Sequence, residues 1–224
     1  MEELKAIGMI ELNSIAKGVE AGDEMMKTAD VELVFAQPIC AGKFMVMVTG
    51  DVDSVERATD VGREVAGEFL VDDFVIPNVH SSIFPAITAT TLIKNVDSLG
   101  VIETFSVASS IMAADAGVKA ANVEIIEIRC ATGLGGKSFL YLTGDVDSVQ
   151  AAVEAGIDDG DAHPLSERTL AVFRLDLAGD HLHHVTIAMP EANAIDMLHA
   201  SGIGVAILRN RYSLVAGEYA WHAA

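Results

Sequence analysis

The chain has 224 residues, 51% of them hydrophobic and 21% charged, with a formal net charge of −19. That balance supplies a buried core and sets the surface against nucleic acid and anionic membranes, whose phosphates it repels. Two cysteines are too few for a disulfide framework, no apolar run approaches the roughly 20 residues that span a bilayer, and the first residues carry no basic leader pattern. A reducing, cytosolic setting is therefore expected, with no membrane and no nucleic acid as partner.

Residues 7–12 read as a short apolar strand. Ser14 is placed to cap a helix on which Ile15, Val19, Gly22, Met25, Met26 and Ala29 recur near a helical period, with Lys17, Glu20, Asp23, Glu24 and Lys27 mostly opposite. Gly18 and Gly22 lie one turn apart on it. Glycine costs about 1 kcal/mol against Ala in a helix interior, so a close approach to a sheet or a neighbouring subunit is expected there. Residues 31–35 and 44–48 read as strands, joined by a turn that holds Pro38, Cys40 and Gly42. Asp53 and Glu56 have capping-box spacing and open a helix to about Ala66. Residues 69–76 form a fourth strand stopped by Pro77, residues 80–92 a short helix or loop, and residues 94–99 a linker.

The same order then begins again. Gly8, Glu11, Ser14, Ala16, Asp23, Lys27 and Val31 align at one spacing with Gly100, Glu103, Ser106, Ala108, Asp115, Lys119 and Val123. The run TGDVDSV at 49–55 recurs unchanged at 143–149, but at a spacing larger by two, so the second turn is two residues longer. This is a tandem duplication of a whole small domain. The second copy has its first helix over 106–121, an Asp147/Gln150 box opening a helix over 149–157, a polar loop at 158–164 and a closing strand over 170–175. Residues from 178 have no counterpart in the first copy; a strand over 185–189, a helix over 190–200 and a strand over 203–208 are expected there. The fold class is α+β, with two ferredoxin-like βαββαβ domains at 1–94 and 95–177 and a C-terminal extension at 178–224.

The runs IGMIELNSIAKGVEAGDEMMKTADVEL and LGVIETFSVASSIMAADAGVKAANVEI resemble the opening of bacterial microcompartment (BMC) shell domains, and two such domains in one chain resemble the tandem, trimer-forming shell proteins. The run ICAGKFMVMVTGDV is similar to the loop of the iron–sulfur members of that family from propanediol-utilisation compartments. The likeness covers about residues 6–176. It implies a shell protein with no enzymatic activity, a pseudo-hexameric homotrimer seated in a microcompartment shell in the cytoplasm. Its partners would be other shell proteins and a redox enzyme or flavoprotein. It places the loops between the second and third strands at a central axis: Ile39, Ala41 and Gly42 from the first domain, Gly133, Leu134, Gly135 and Gly136 from the second. It implies that Cys40 of each chain binds one iron–sulfur cluster per trimer, of the [4Fe–4S] type, for electron transfer across the shell. Ala41 departs from the pattern, which has Pro after the Cys. Lys27 and Lys119 would lie at the tile edge.

The chemistry of one thiol per chain depends on symmetry. A three-fold axis turns one Cys into three, and a cube that usually takes four thiolates has a three-fold axis of its own. Taken alone, Cys40 reads as a small, partly buried thiol, and Cys130 as a strand-end thiol away from the axis. Gly133–Gly136 lacks phosphate-loop spacing and leads into a strand, so it reads as a pore loop. Lys27 and Lys119 also suit the last turn of a helix. His181, His183 and His184 read as polar surface, and Glu11 and Glu103 as structural carboxylates at a helix N-terminus. No catalytic constellation is present. Two further readings stay open: a redox-silent tile with a gated metabolite pore, and a trimeric ferredoxin-like regulator binding a ligand between subunits.

Overall fold

The computed structural model describes residues 6–157 and, beyond them, the backbone of the strands 169–178, 181–188 and 218–222. The first domain runs β1 (Ala6–Leu12), α1 (Ile15–Thr28), β2 (Glu32–Ile39), β3 (Lys43–Gly50), α2 (Val52–Ala66) and β4 (Leu70–Ile76), followed by the short α3 (Ile83–Ile87). The second runs β5 (Ser98–Thr104), α4 (Val107–Ala120), β6 (Glu124–Arg129), β7 (Ser138–Gly144), α5 (Val146–Ile157) and β8 (Thr169–Ala178). Both give an antiparallel sheet of one order, β2-β3-β1-β4 and β6-β7-β5-β8. That is the ferredoxin-like arrangement the repeat predicts.

Period-two alternation sorts the first sheet into two buried faces. Ile10 and Leu12 of β1, with Val46 and Val48 of β3, pack with Ala21 and Met25 of α1 and Val55 and Ala58 of α2. Ile7 and Met9, with Met45, Met47, Phe74 and Ile76, join a cluster that includes Val107, Ala108 and Ile111 of α4. The second domain thus covers the outer face of the first sheet, and one apolar core runs through both domains.

Ser14 caps α1 as expected, accepting from the Lys17 N–H at 3.3 Å. The expected box at Asp53 is replaced by Asp51, which accepts from the Ser54 N–H at 3.0 Å; Asp145 does the same for Ser148 in the second copy. Asp53 and Asp147 instead occupy the first turn, where their charge still faces the helix dipole. Gly18 and Gly22 resolve in favour of the sheet: a Cβ at either would meet Phe44 or Val46. β2 runs through Pro38 because it is an edge strand, where a missing N–H costs no ladder bond.

The extension adds two strands to the β8 edge, β9 (His181–Ala188) and β10 (Glu218–His222). The strand expected over 185–189 is β9, which begins earlier; β10 has no sequence-based counterpart. The expected loop at 158–164, helix at 190–200 and strand at 203–208 lie outside the described residues.

Gly8, on the helix-facing side of β1, sits against α2. A Cβ there would stand 2.2 Å from Thr59 Oγ1 and 2.8 Å from Val55 Cγ1. Gly8→Ala is expected to lower the unfolding free energy by about 1–3 kcal/mol through overpacking, read by urea denaturation.

Candidate functional site

The β2–β3 turn carries Cys40, and the longer β6–β7 turn of the same chain lies against it. The Cys40 N–H donates to the Ala131 carbonyl at 3.0 Å, and the Gly133 N–H donates to the Cys40 sulfur at 3.2 Å. Gly136, at φ +95°, passes close enough that a Cβ would stand 3.4 Å from the Cys40 carbonyl oxygen. Cys40 is half-buried, in a shallow recess of about 320 Å³ with Ile15, Pro38, Ile39, Gly42 and Thr132 on its walls. Ala41 and Gly42 are exposed, Ile39 is buried, and Gly133 and Gly135 are exposed with Leu134 half-buried between them. Cys130 is different in kind. Burial, with the nearby charges of Glu11 and Glu127 adding to it, pushes its pKa up to about 12, so it stays a thiol.

Beside this loop pair runs the seam between the domains. The Glu11 carboxylate, fully buried, accepts from the Val107 N–H at 2.7 Å and the Ala108 N–H at 3.4 Å, the first amides of α4. Lys43 donates to the same carboxylate, to the Gly136 carbonyl at 2.9 Å and to the Phe105 carbonyl at 3.3 Å. Asp72, also buried, accepts from the hydroxyls of Ser106 and Ser109. A helix N-terminus attracts carboxylates because its first N–H groups lack intrahelical partners; here the carboxylate comes from the other domain. Burial dominates at Glu11 and raises its pKa above the ordinary value, against the Lys43 charge and hydrogen bond and the two amides. Among the described residues, no group of three or more His, Cys, Asp and Glu side chains is arranged to hold a metal ion.

A family model described as "BMC domain" matches this chain twice, over residues 6–79 and 98–171. The chain belongs to the BMC-domain family. Its two-domain layout is that of a tandem shell protein, and its relatives are structural rather than enzymatic. It is 42% identical over 177 residues to the bacterial microcompartment shell protein PduT of Citrobacter freundii, a match covering 79% of this chain and 94% of that one. A crystal structure of a microcompartment protein from Desulfitobacterium hafniense superposes with a TM-score of 0.69 at 42% identity, covering 80% of this chain and 98% of the other. The fused permuted hexameric shell protein MSM0275 of the RMM microcompartment shares the fold alone, at 21% identity and a TM-score of 0.54, over 69% of this chain and 82% of its own.

Within the BMC framework the remaining sequence-predicted residues lie on other elements. Lys27 and Lys119 close α1 and α4. Lys27 pairs with Asp23 and, at 3.2 Å, Glu24; Lys119 pairs with Asp115, which also accepts from the His80 N–H. His181, His183 and His184 lie on β9, where His184 pairs across the ladder with Asp176 and His222. Sequence reading placed Glu11 at a helix N-terminus; the structure shows that the helix belongs to the second BMC domain. It missed Lys43, Asp72 and Ser109. Lys43 did leave a signal, since Lys137 stands at the equivalent place after the second turn.

Proposed function

We propose that three copies of this chain form a flat, pseudo-hexagonal tile of a bacterial microcompartment shell, with Cys40 of each copy on the shared axis holding one [4Fe–4S] cluster. Its place is the microcompartment shell, alongside other shell proteins. The observation that carries the cluster reading is the contrast between the two thiols. Cys40 stands at a turn, half-exposed, with an N–H already directed at its sulfur, whereas Cys130 is sealed and held protonated. Such N–H groups stabilise thiolate charge and tune a cluster's potential. When bound, the cluster supplies one-electron transfer, and the partner is a redox enzyme or flavoprotein. The Cys40 thiolates, one from each copy, would hold it, and the Gly133 N–H that donates to the Cys40 sulfur would steady each of them.

Anaerobic purification tests this. The expected protein is brown and carries about four irons per trimer; Cys40→Ser removes colour and iron and leaves the trimer intact. A colourless, iron-free wild type that still assembles overturns the cluster and leaves a tile whose axis passes metabolites. The glycines at 133, 135 and 136, whose backbone lacks the steric limits of other residues, favour that second reading. In this reading Lys27 and Lys119, on the exposed ends of α1 and α4, are the tile-edge residues. Lys27→Asp combined with Lys119→Asp abolishes sheet formation in this reading, scored by electron microscopy of concentrated protein.

A further inference from the structure

The duplication leaves half of a contact unused. Within the chain, the mouth of α4 is closed by Glu11 on the amides of Val107 and Ala108, with Lys43 bridging to the carbonyls of Phe105 and Gly136. The repeat alignment gives the counterpart of every one of these groups. They are Glu103, the amides of Ile15 and Ala16, Lys137, and the carbonyls of Asn13 and Gly42. Glu103 and Lys137 are already paired, at 2.9 Å, yet both stay partly open to solvent, while Glu11 is sealed. The apolar faces tell the same story. Ile15 and Val19 of α1 are 47% and 58% exposed, whereas their counterparts Val107 and Ile111 on α4 are fully buried. The two helices differ in what lies against them: α4 has the first domain, and α1 has no described domain of its own chain in the equivalent place.

We propose that Glu103 and Lys137 of one copy close the N-terminus of α1 in the next. The carboxylate accepts from the Ile15 and Ala16 amides, and the ammonium donates to the carbonyls of Asn13 and Gly42. This rests on the trimeric reading above and assigns the residues that join the copies. The contact is head-to-tail, between two different surfaces of one chain, as ring closure requires. It also brings the Lys137 charge to Gly42, two residues from Cys40, so each axial thiol gains a cation from the neighbouring copy. The two seams are unequal. Asp72 pairs across the sheet with Glu11, and the residue that pairs in the same way with Glu103 is Ala171; Ser109 is matched by Lys17. The seam between chains therefore lacks the buried Asp–Ser–Ser contact, leans more heavily on Glu103, and opens first on dilution.

The test compares wild type, Glu103→Ala and Glu103→Gln by sedimentation over a dilution series, with hydrogen exchange on the same samples. Each trimer loses three such charge-assisted contacts and the midpoint follows the square root of the trimer dissociation constant, so Glu103→Ala is expected to raise the concentration of half-dissociation about fifty- to two-thousandfold, and Glu103→Gln less. Exchange at the amides of Ile15 and Ala16 is expected to rise in the variants, while Val107 and Ala108, held by Glu11, stay protected and report an intact fold. A trimer that dissociates at the wild-type concentration, with unchanged exchange at Ile15 and Ala16, overturns the assignment and leaves the trimer standing. A wild type that is monomeric throughout overturns both.

Discussion

Glu11→Ala is expected to lower the unfolding free energy by about 3–5 kcal/mol, the range for breaking a buried ion pair by removing one member. Two losses combine. The Lys43 ammonium, whose side chain is only 12% exposed, keeps two carbonyls but no counter-charge. The first amides of α4 lose their acceptor at the same time. Replacing both members, Glu11→Leu with Lys43→Met, is expected to recover most of the loss, because no charge is then left buried; about 1 kcal/mol remains for the Val107 and Ala108 amides, which lose their acceptor while the Ser106 cap stays. A double-mutant cycle in urea reads both numbers.

The pH dependence of this site has an unusual sign for a carboxylate. Burial raises the folded pKa of Glu11 above 4.5, so the folded chain binds the proton more tightly than the unfolded one. Its contribution is fully present below 4.5 and declines as pH rises through the folded value. The helix caps Asp51 and Asp145 behave oppositely. Hydrogen bonds from Ser54 and Ser148 hold them below the ordinary 3.8, so their contribution is present above that value and lost in stronger acid. Unfolding measured from pH 4 to 8 should show wild type losing stability against Glu11→Gln as pH rises.

The repeat made the architecture legible, because two copies of one pattern agreed on every element of the βαββαβ order. What it left unread was which copy had a partner. Glu11 and Glu103 look the same in sequence, as do Ser14 and Ser106, yet among the described contacts only Glu11 and Ser106 meet the other domain inside the chain. A periodicity argument sees one domain at a time, and the seam forms between two. The caps were misplaced for a narrower reason. The run GDVDS offers two aspartates, Asp53 matches the box spacing, and the backbone puts Asp51 at the cap and Asp53 inside the first turn. The turn with Cys40 was legible through its residues and its likeness to shell proteins. The contact from Gly133 was not, because it joins loops 93 positions apart. The end of β2 was missed because Pro38 looks like a stop, and on an edge strand it is not one.

The duplicated helices give the second large effect, as a contrast between equivalent positions. Ile111 of α4 is fully buried in the core shared by both domains, so Ile111→Ala is expected to cost about 2–5 kcal/mol of unfolding free energy, from lost transfer energy and the cavity left behind. Val19 occupies the same place on α1 and is 58% exposed. Val19→Ala should change the unfolding of the dilute, dissociated chain by less than about 0.5 kcal/mol, as surface substitutions do. The same change should weaken assembly, because in the proposed trimer Val19 would take on the environment that Ile111 already has. Chemical denaturation at high dilution and sedimentation at working concentration separate the two effects. A Val19→Ala chain that unfolds as easily as Ile111→Ala when dilute would mean that α1 is already covered within its own chain, and the shared seam would have to lie elsewhere.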